Sequence, residues 1–308
     1  MNELNVSAAP HIHSYRSTQN VMLDVIIALC PAVIASIILF GLPALWIILT
    51  CVASTVVSEL LFNLIVRKKQ TIFDLSAVVT GLLLALNLST KVPLWQCVIG
   101  SVFAIIVVKC LFGGLGKNIA NPAIAARVFM LLTFAAVAGG ANPINPEISA
   151  GSTPLESLNN GVTDIPLLDL FLGRTGGTIG ETCAVALLIG YAYLVIRGVI
   201  KWYVPFAFVL TVFVCFLFAS KFDFKLALSQ ILAGGLLLGA IFMATDYVTT
   251  PVSNLGRVIF CVGAGLITFL IRQYGSFPEG VSISILAMNL LTPLIDKITT
   301  PRTLGGVR

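Results

Sequence analysis

Long apolar runs separated by short polar breaks cover most of this chain. At about twenty apolar residues per membrane crossing, the pattern predicts about ten spans. They run from Val21 to Phe40, Ala44 to Val66, Ile72 to Leu88, Leu94 to Phe112, Pro122 to Ala138, Gly180 to Val199, Val204 to Ala219, Leu226 to Ala244, Val258 to Ile271 and Val281 to Ile295. The third, ninth and tenth read as short or interrupted. One interval is different: Gly139 to Ile179 holds Asn142, Pro143, Asn145, Pro146, Ser152, Thr153, Asn159 and Asn160, and it is the only loop long enough to carry chemistry outside a bilayer. The pattern predicts an all-α integral membrane protein. Its parts are a polar N-terminal tail (1–20), a first five-helix half (21–138), the long loop (139–179), a second five-helix half (180–298) and a C-terminal tail (299–308).

Composition narrows the class. Of 308 residues, 58% are hydrophobic and only 10% are charged, with a mean hydropathy of +1.03, whereas a soluble domain carries about 25% charged residues. Soluble-enzyme and nucleic-acid-binding readings are excluded; the expected surrounding is a lipid bilayer. The net charge of +5, from 18 basic and 13 acidic residues, then speaks about orientation. With the N-terminus inside, cytoplasmic segments and span ends hold Arg16, Arg67, Lys68, Lys69, Lys109, Lys117, Arg127, Arg197, Lys201, Arg257, Lys297, Arg302 and Arg308, against Lys91, Arg174, Lys221, Lys225 and Arg272 outside. The positive-inside rule puts both termini in the cytoplasm and the long loop outside it. The seven cysteines show no disulfide framework or zinc spacing. His11 and His13, the only histidines, lie in the tail, so no intramembrane haem and no metal site are expected. The first twenty residues do not have the pattern of a cleaved signal peptide.

An internal repeat is visible. Gly81-Leu-Leu-Leu-Ala-Leu is echoed by Gly235-Leu-Leu-Leu-Gly-Ala; each precedes a polar break, an apolar span, a glycine-containing break (Gly113 to Gly116, Gly275 to Gly280) and a closing span (Ala126-Arg-Val-Phe-Met-Leu-Leu, Leu286-Ala-Met-Asn-Leu-Leu). Two halves of five spans have opposite orientations because five is odd. In inverted repeats of this kind, interrupted helices meet near the midplane and form the site.

Three groups of residues carry candidate chemistry. The first is Gly113-Gly-Leu-Gly-Lys-Asn-Ile-Ala-Asn-Pro122. Its glycines permit close backbone approach, Gly116 and Lys117 stand beside Asn118, and Asn118 and Asn121 offer amide edges to a polar heterocycle. Pro122 suits the first turn of a helix. The second is Ser149-Ala-Gly-Ser-Thr153-Pro-Leu, where the residue before proline is held extended and its hydroxyl is open to a modifying enzyme. The third is a set of acids in apolar surroundings, Asp24, Glu59, Glu181 and Asp246. Carboxylates at membrane depth are costly and are paired or on an ion path. Asp24, near a span end, reads equally as an interfacial charge, which leaves Glu59, Glu181 and Asp246 as ion-path candidates.

With these motifs assembled, the sequence resembles the NqrB/RnfD family: the RnfD component of the Rnf complex, an ion-translocating ferredoxin:NAD⁺ oxidoreductase, and more distantly the NqrB component of the sodium-translocating NADH:quinone oxidoreductase. The likeness spans the chain through Gly-Lys-Asn-x-x-Asn-Pro-Ala, Ser-Thr-Pro-Leu, Gly180-Glu-Thr, Ala244-Thr-Asp and Pro278-Glu-Gly-Val. It implies two five-helix inverted repeats like those of urea transporters. It also implies FMN esterified through its phosphate to Thr153 by a flavin transferase, with Ser152 standing where the family commonly has Ala. A second, non-covalent flavin resembling riboflavin is implied along Gly116, Lys117, Asn118 and Asn121. The expected partners are the other components of the Rnf complex (RnfA, RnfB, RnfC, RnfE and RnfG). The expected activity passes electrons between reduced ferredoxin and NAD⁺ across a prokaryotic inner or plasma membrane, coupled to Na⁺ or H⁺. Ser54-Thr55-Val56-Val57 replaces the glycine pair that the quinone-linked relative carries in its second span, which favours the Rnf member.

Overall fold

The computed structural model describes residues 17–68, 70–134, 154–159, 166–181, 183–275 and 280–299, and these are helical without a strand. Helix α1 (Thr18–Phe40) opens where the Ser17 hydroxyl accepts from the Asn20 N–H and stops at Gly41, whose φ of +70° turns the chain straight into α2 (Leu42–Ile65). A 3₁₀ turn at Ile72–Asp74 and a left-handed Leu75 precede α3 (Ser76–Leu86). Helix α4 (Leu94–Val102) continues as a π-helix over Phe103–Cys110, and α5 (Pro122–Thr133) follows. Two short helices, α6 (Pro154–Asn159) and α7 (Leu167–Leu172), lead into the second half. That half contains α8 (Ala184–Ile196), α9 (Tyr203–Ala219), α10 (Phe224–Leu232), α11 (Leu236–Leu238, extended by a π-helix at Gly239–Met243), α12 (Asn254–Tyr274) and α13 (Val281–Thr299).

Among the described residues, α1, α2, α12 and α13 are each long and apolar enough to span a bilayer, and the bent pair α10–α11 makes a fifth if counted as one span. Their outer faces carry apolar side chains no aqueous surface would favour, such as Ile38 and Ile65, each 77% exposed, as expected against hydrocarbon. The ninth and tenth segments are therefore whole and longer than expected. The interruptions lie in the third and eighth. At 1.5 Å per residue, α3 is only about 16 Å long, roughly half a hydrocarbon core, and α10 and α11 meet at 64°. The sixth segment is helical only from Ala184. The part of the fifth beyond Phe134 and, in the 139–179 loop, residues 139–153 and 160–165, including Ser152 and Thr153, lie outside the described residues.

Packing relies on glycines at helix crossings. A Cβ on Gly81 of α3 would sit 2.6 Å from Thr55 Oγ1 and 2.8 Å from Val52 Cα of α2; one on Gly190 of α8 would sit 2.2 Å from the Ala28 carbonyl oxygen of α1. Small residues let helix backbones touch where lipid supplies no hydrophobic drive. In the first half α2 packs on α3 and α4; in the second, α9 packs on α10 and α12. Between halves, α1 packs on α8 and α5 on α13.

Candidate functional site

Two irregular segments meet beneath α13. The first, 113–121, turns through Gly113, Gly114 and Gly116, all with φ near or above +90°, a region open to glycine at little cost. It ends at Asn121, whose Oδ1 accepts from the N–H of Ala123 (3.0 Å) and Ile124 (3.4 Å) and so caps α5, with Pro122 in the first turn. The second segment holds Asp246. Its Oδ1 accepts from Val248 N (3.2 Å), and its Oδ2 from Thr249 Oγ1 (3.1 Å) and Asn121 Nδ2 (3.4 Å). Asn289 of α13 closes the junction: with its amide orientation assigned from the surrounding donors and acceptors, it donates to the Thr249 carbonyl and accepts from the Asn121 N–H, both at 3.2 Å. Two residues chosen from sequence, Asn121 and Asp246, are thus in direct contact, and Asn289 joins them.

Beside this junction opens a partly enclosed cavity. Its walls are mostly apolar, with Val25, Val79, Leu83, Leu194, Ile241 and Phe242, and its polar groups are Ser76, Thr80, Lys109, Asn118, Asn121, Thr245, Asp246 and Tyr247. Asn118 is 7% exposed; its Nδ2 donates to the Ala120 carbonyl (3.1 Å), while its Oδ1 is buried and has no hydrogen-bond partner among the described residues. A buried acceptor left unmatched costs about 1–3 kcal/mol, so this oxygen is poised for a donor on a bound molecule. Gly116 and Lys117 are exposed and do not line the cavity.

Glu59 is fully engaged. Lys109 Nζ lies 2.9 Å from both Glu59 oxygens and 2.6 Å from Ser76 Oγ, and both charged side chains are 2% exposed. Thr71 Oγ1 donates to Glu59 Oε1 at 2.6 Å and accepts from Asn63 Nδ2 at 3.0 Å. Lys109 is therefore no marker of a membrane face. Arg127 and Arg272, at 1% and 2% exposure, are not either. Asp24 is 5% exposed and paired, bonded to Arg197 Nε and Nη2, both at 3.1 Å, and to Tyr193 OH at 3.0 Å.

The second half has a matching arrangement. Arg272, in the last turn of α12, donates to the carbonyls of Gln230 (2.5 Å) and Ala233 (3.3 Å) where α10 breaks. Glu181 accepts from Thr178 Oγ1 at 2.7 Å. A Cβ on Gly234 would lie 2.7 Å from Arg272 Nη2, 3.3 Å from Leu155 and 3.4 Å from Glu181 Oε1, so these side chains converge there. Leu155 and Leu158 of α6, directly after the Thr153–Pro154 bond, pack with Leu170 and Ala233. Gln230 and Arg272 line a further cavity beside Leu158. In each half, a buried cation from the last turn of the fourth helix reaches an end of the third helical segment, Lys109 through the Ser76 hydroxyl at the start of α3 and Arg272 through the carbonyls where α10 ends.

The sequence placed Asn118 and Asn121 in one group and Asp246 with Glu59 and Glu181 in another; the structure brings Asn118, Asn121 and Asp246 to one place and puts Glu59 and Glu181 elsewhere. Sequence reasoning missed Lys109, Arg272 and Asn289. The available signal was that Lys109 and Glu59 each stand in an apolar run, and opposite buried charges call for each other.

Residues 5–305 match the model of the "NQR2, RnfD, RnfE family". The chain is 45% identical to the D component of the Na(+)-translocating ferredoxin:NAD(+) oxidoreductase complex of Acetobacterium woodii, over 99% of this chain and 97% of the relative. It is 36% identical to the D component of the proton-translocating ferredoxin:NAD(+) oxidoreductase complex of Clostridium ljungdahlii, over 100% and 98%. It is also 36% identical to the D component of the ion-translocating oxidoreductase complex of Stutzerimonas stutzeri, over 94% and 92%. Near-complete coverage in both directions carries the relationship through every element of the fold, and the chain belongs to the NQR2, RnfD, RnfE family.

Proposed function

We propose that this chain is the flavin-carrying membrane component of an Rnf-type oxidoreductase complex, moving electrons across the bilayer between reduced ferredoxin and NAD⁺ and coupling them to Na⁺ or H⁺ translocation. The full-length relationship to the D components of such complexes supports the role, with RnfA, RnfB, RnfC, RnfE and RnfG as its partners. The recurring order of two helices, an interrupted segment and two further helices, with α1 against α8 and α5 against α13, supports two inverted five-helix repeats. With Lys109, Arg127 and Arg272 set aside as buried, eleven basic residues remain on the cytoplasmic side against four outside, which supports cytoplasmic termini and a Thr153 loop outside the cytoplasm.

Two flavins fit this role, FMN esterified to Thr153 by a flavin transferase and a non-covalent flavin in the cavity of Asn118. A bound flavin supplies one- and two-electron redox chemistry that no side chain here possesses. The chain's own residues supply the rest. Asn118 Oδ1 would accept from a ring N–H of such a group, the Asn121–Asp246–Asn289 junction holds the Asn118 loop against α13, and the apolar walls would exclude water.

The observation that carries the reading is the buried, unmatched Asn118 Oδ1 at the wall of a mostly apolar cavity. Acid precipitation of the purified full chain tests it. About one flavin per chain is expected in the supernatant, and Asn118→Leu is expected to lower that yield several-fold. A wild-type chain that releases no flavin overturns the assignment and favours a solute channel built on the same helices.

A further inference from the structure

The Glu59–Lys109 pair separates two environments. On one side, Lys109 and Ser76 line the cavity. On the other, Glu59 Oε1 accepts from Thr71 Oγ1, and Thr71 is exposed at the surface. The links Thr71 to Glu59, Glu59 to Lys109 and Lys109 to Ser76 measure 2.6, 2.9 and 2.6 Å, so an unbroken polar chain runs from the surface to the cavity wall. The other charged groups nearby are Asp74, which accepts from the Ser76 N–H at 2.9 Å and from its hydroxyl, Lys68 over the Phe62 ring, and Asp246 in the cavity lining.

We propose that Lys109 is a charge-responsive latch on Glu59: when the cavity gains negative charge, the ammonium turns from Glu59 toward the cavity, and Glu59 takes up a monovalent cation entering at Thr71. The inference rests on the reading that a flavin occupies the cavity, with its electrons supplied by the complex's own donor. No covalent bond forms or breaks in the latch. One electron adds one negative charge, Lys109 compensates it, and one cation replaces Lys109 at Glu59; when the electron leaves, the steps reverse and the cation is released. An unpaired buried charge costs several kcal/mol, so the exchange holds at one cation per electron. Lysine suits the task because its compact charge rides on a flexible stem with three rotatable donors. The π-helical stretch that carries it is a departure from α geometry that frequently marks functional sites.

The test uses the full chain bearing Thr153→Ala, so that only the cavity flavin contributes, in lipid nanodiscs. The midpoint potential is measured by spectroelectrochemistry against NaCl at fixed pH, and against pH with choline replacing sodium. The flavin's own proton uptake contributes equally to all variants, so the readout is the difference in slope between variants. Lys109→Met is expected to remove about 59 mV per tenfold change in one of the two cations, the value for one cation per electron; whichever slope is lost identifies Na⁺ or H⁺. Lys109→Arg is expected to keep most of it. Equal slopes in wild type and Lys109→Met at equal flavin content overturn the latch. If Lys109→Met fails to fold, Glu59→Gln gives the same readout, and the wild-type reduced-minus-oxidised infrared spectrum must contain a carboxylate change that is absent from Glu59→Gln; a spectrum without it overturns the latch. A chain that holds no flavin overturns both the occupancy reading and the latch, whereas a bound flavin with invariant slopes overturns the latch alone.

Discussion

Removing one member of the Glu59–Lys109 pair leaves the other charged in a site 2% exposed. In Glu59→Gln the Lys109 ammonium keeps Ser76 Oγ but loses both carboxylate contacts. In Lys109→Met the Glu59 carboxylate keeps only the Thr71 hydroxyl. Breaking a buried pair by deleting one partner costs about 3–5 kcal/mol, whereas replacing both by neutral groups of similar volume is often close to neutral. Each single variant is therefore expected to lose about 3–5 kcal/mol. The double variant Glu59→Gln/Lys109→Met is expected to lose no more than either single, because Gln can still bond Thr71 and Met fills the path of the lysine stem. The coupling energy is then at least about 3 kcal/mol, the upper limit of measured pairwise couplings. Denaturant titration of the reconstituted chain, followed by far-ultraviolet circular dichroism, reads all four corners of the cycle. Single losses that add to within about 0.5 kcal/mol, as for independent sites, would refute the view that the two charges hold each other.

Three other expectations are separable from that one. Asn121→Ala removes the cap of α5 together with the contact to Asp246, and should lower stability by about 0.5–2 kcal/mol in the same titration. Gly190→Ala drives a methyl against the Ala28 carbonyl and should cost about 1–3 kcal/mol as α1 and α8 separate; Gly235→Ala, with a φ of −71° and nothing within 4 Å of the added carbon, should by contrast be neutral or slightly stabilising. Arg272→Gln weakens the contacts to the Gln230 and Ala233 carbonyls, and limited proteolysis should then cut faster near residues 233–235.

Much of the fold was legible because bilayer crossing demands long apolar runs, and α1, α2, α12 and α13 follow them. The Asn121–Pro122 helix start was legible from capping chemistry alone. Hydropathy could not locate the breaks. The stretch Leu226 to Ala244 is apolar apart from Ser229 and Gln230, and its 64° bend sits at Gly234, which has a φ of +79°, and is held by a guanidinium from a helix some forty residues away. Lys109 was hidden for a related reason. It lies near the end of an apolar run, where a lysine ordinarily reaches for water, and the π-helical winding of Phe103–Cys110 shifts the angular phase an α-helical wheel assumes. Its partner stands fifty residues earlier, on another helix. The Asn289 contacts depend on how α13 crosses two loops, which no local pattern encodes.

Whether the chain carries electrons rather than solute is tested most directly by a mass measurement of the purified protein. After co-expression with a flavin transferase, the peptide containing Thr153 is expected to carry the added mass of an FMN phosphoester, and Thr153→Ala is expected to lose it. A wild-type chain with no flavin mass on any peptide would contradict the electron-carrying role.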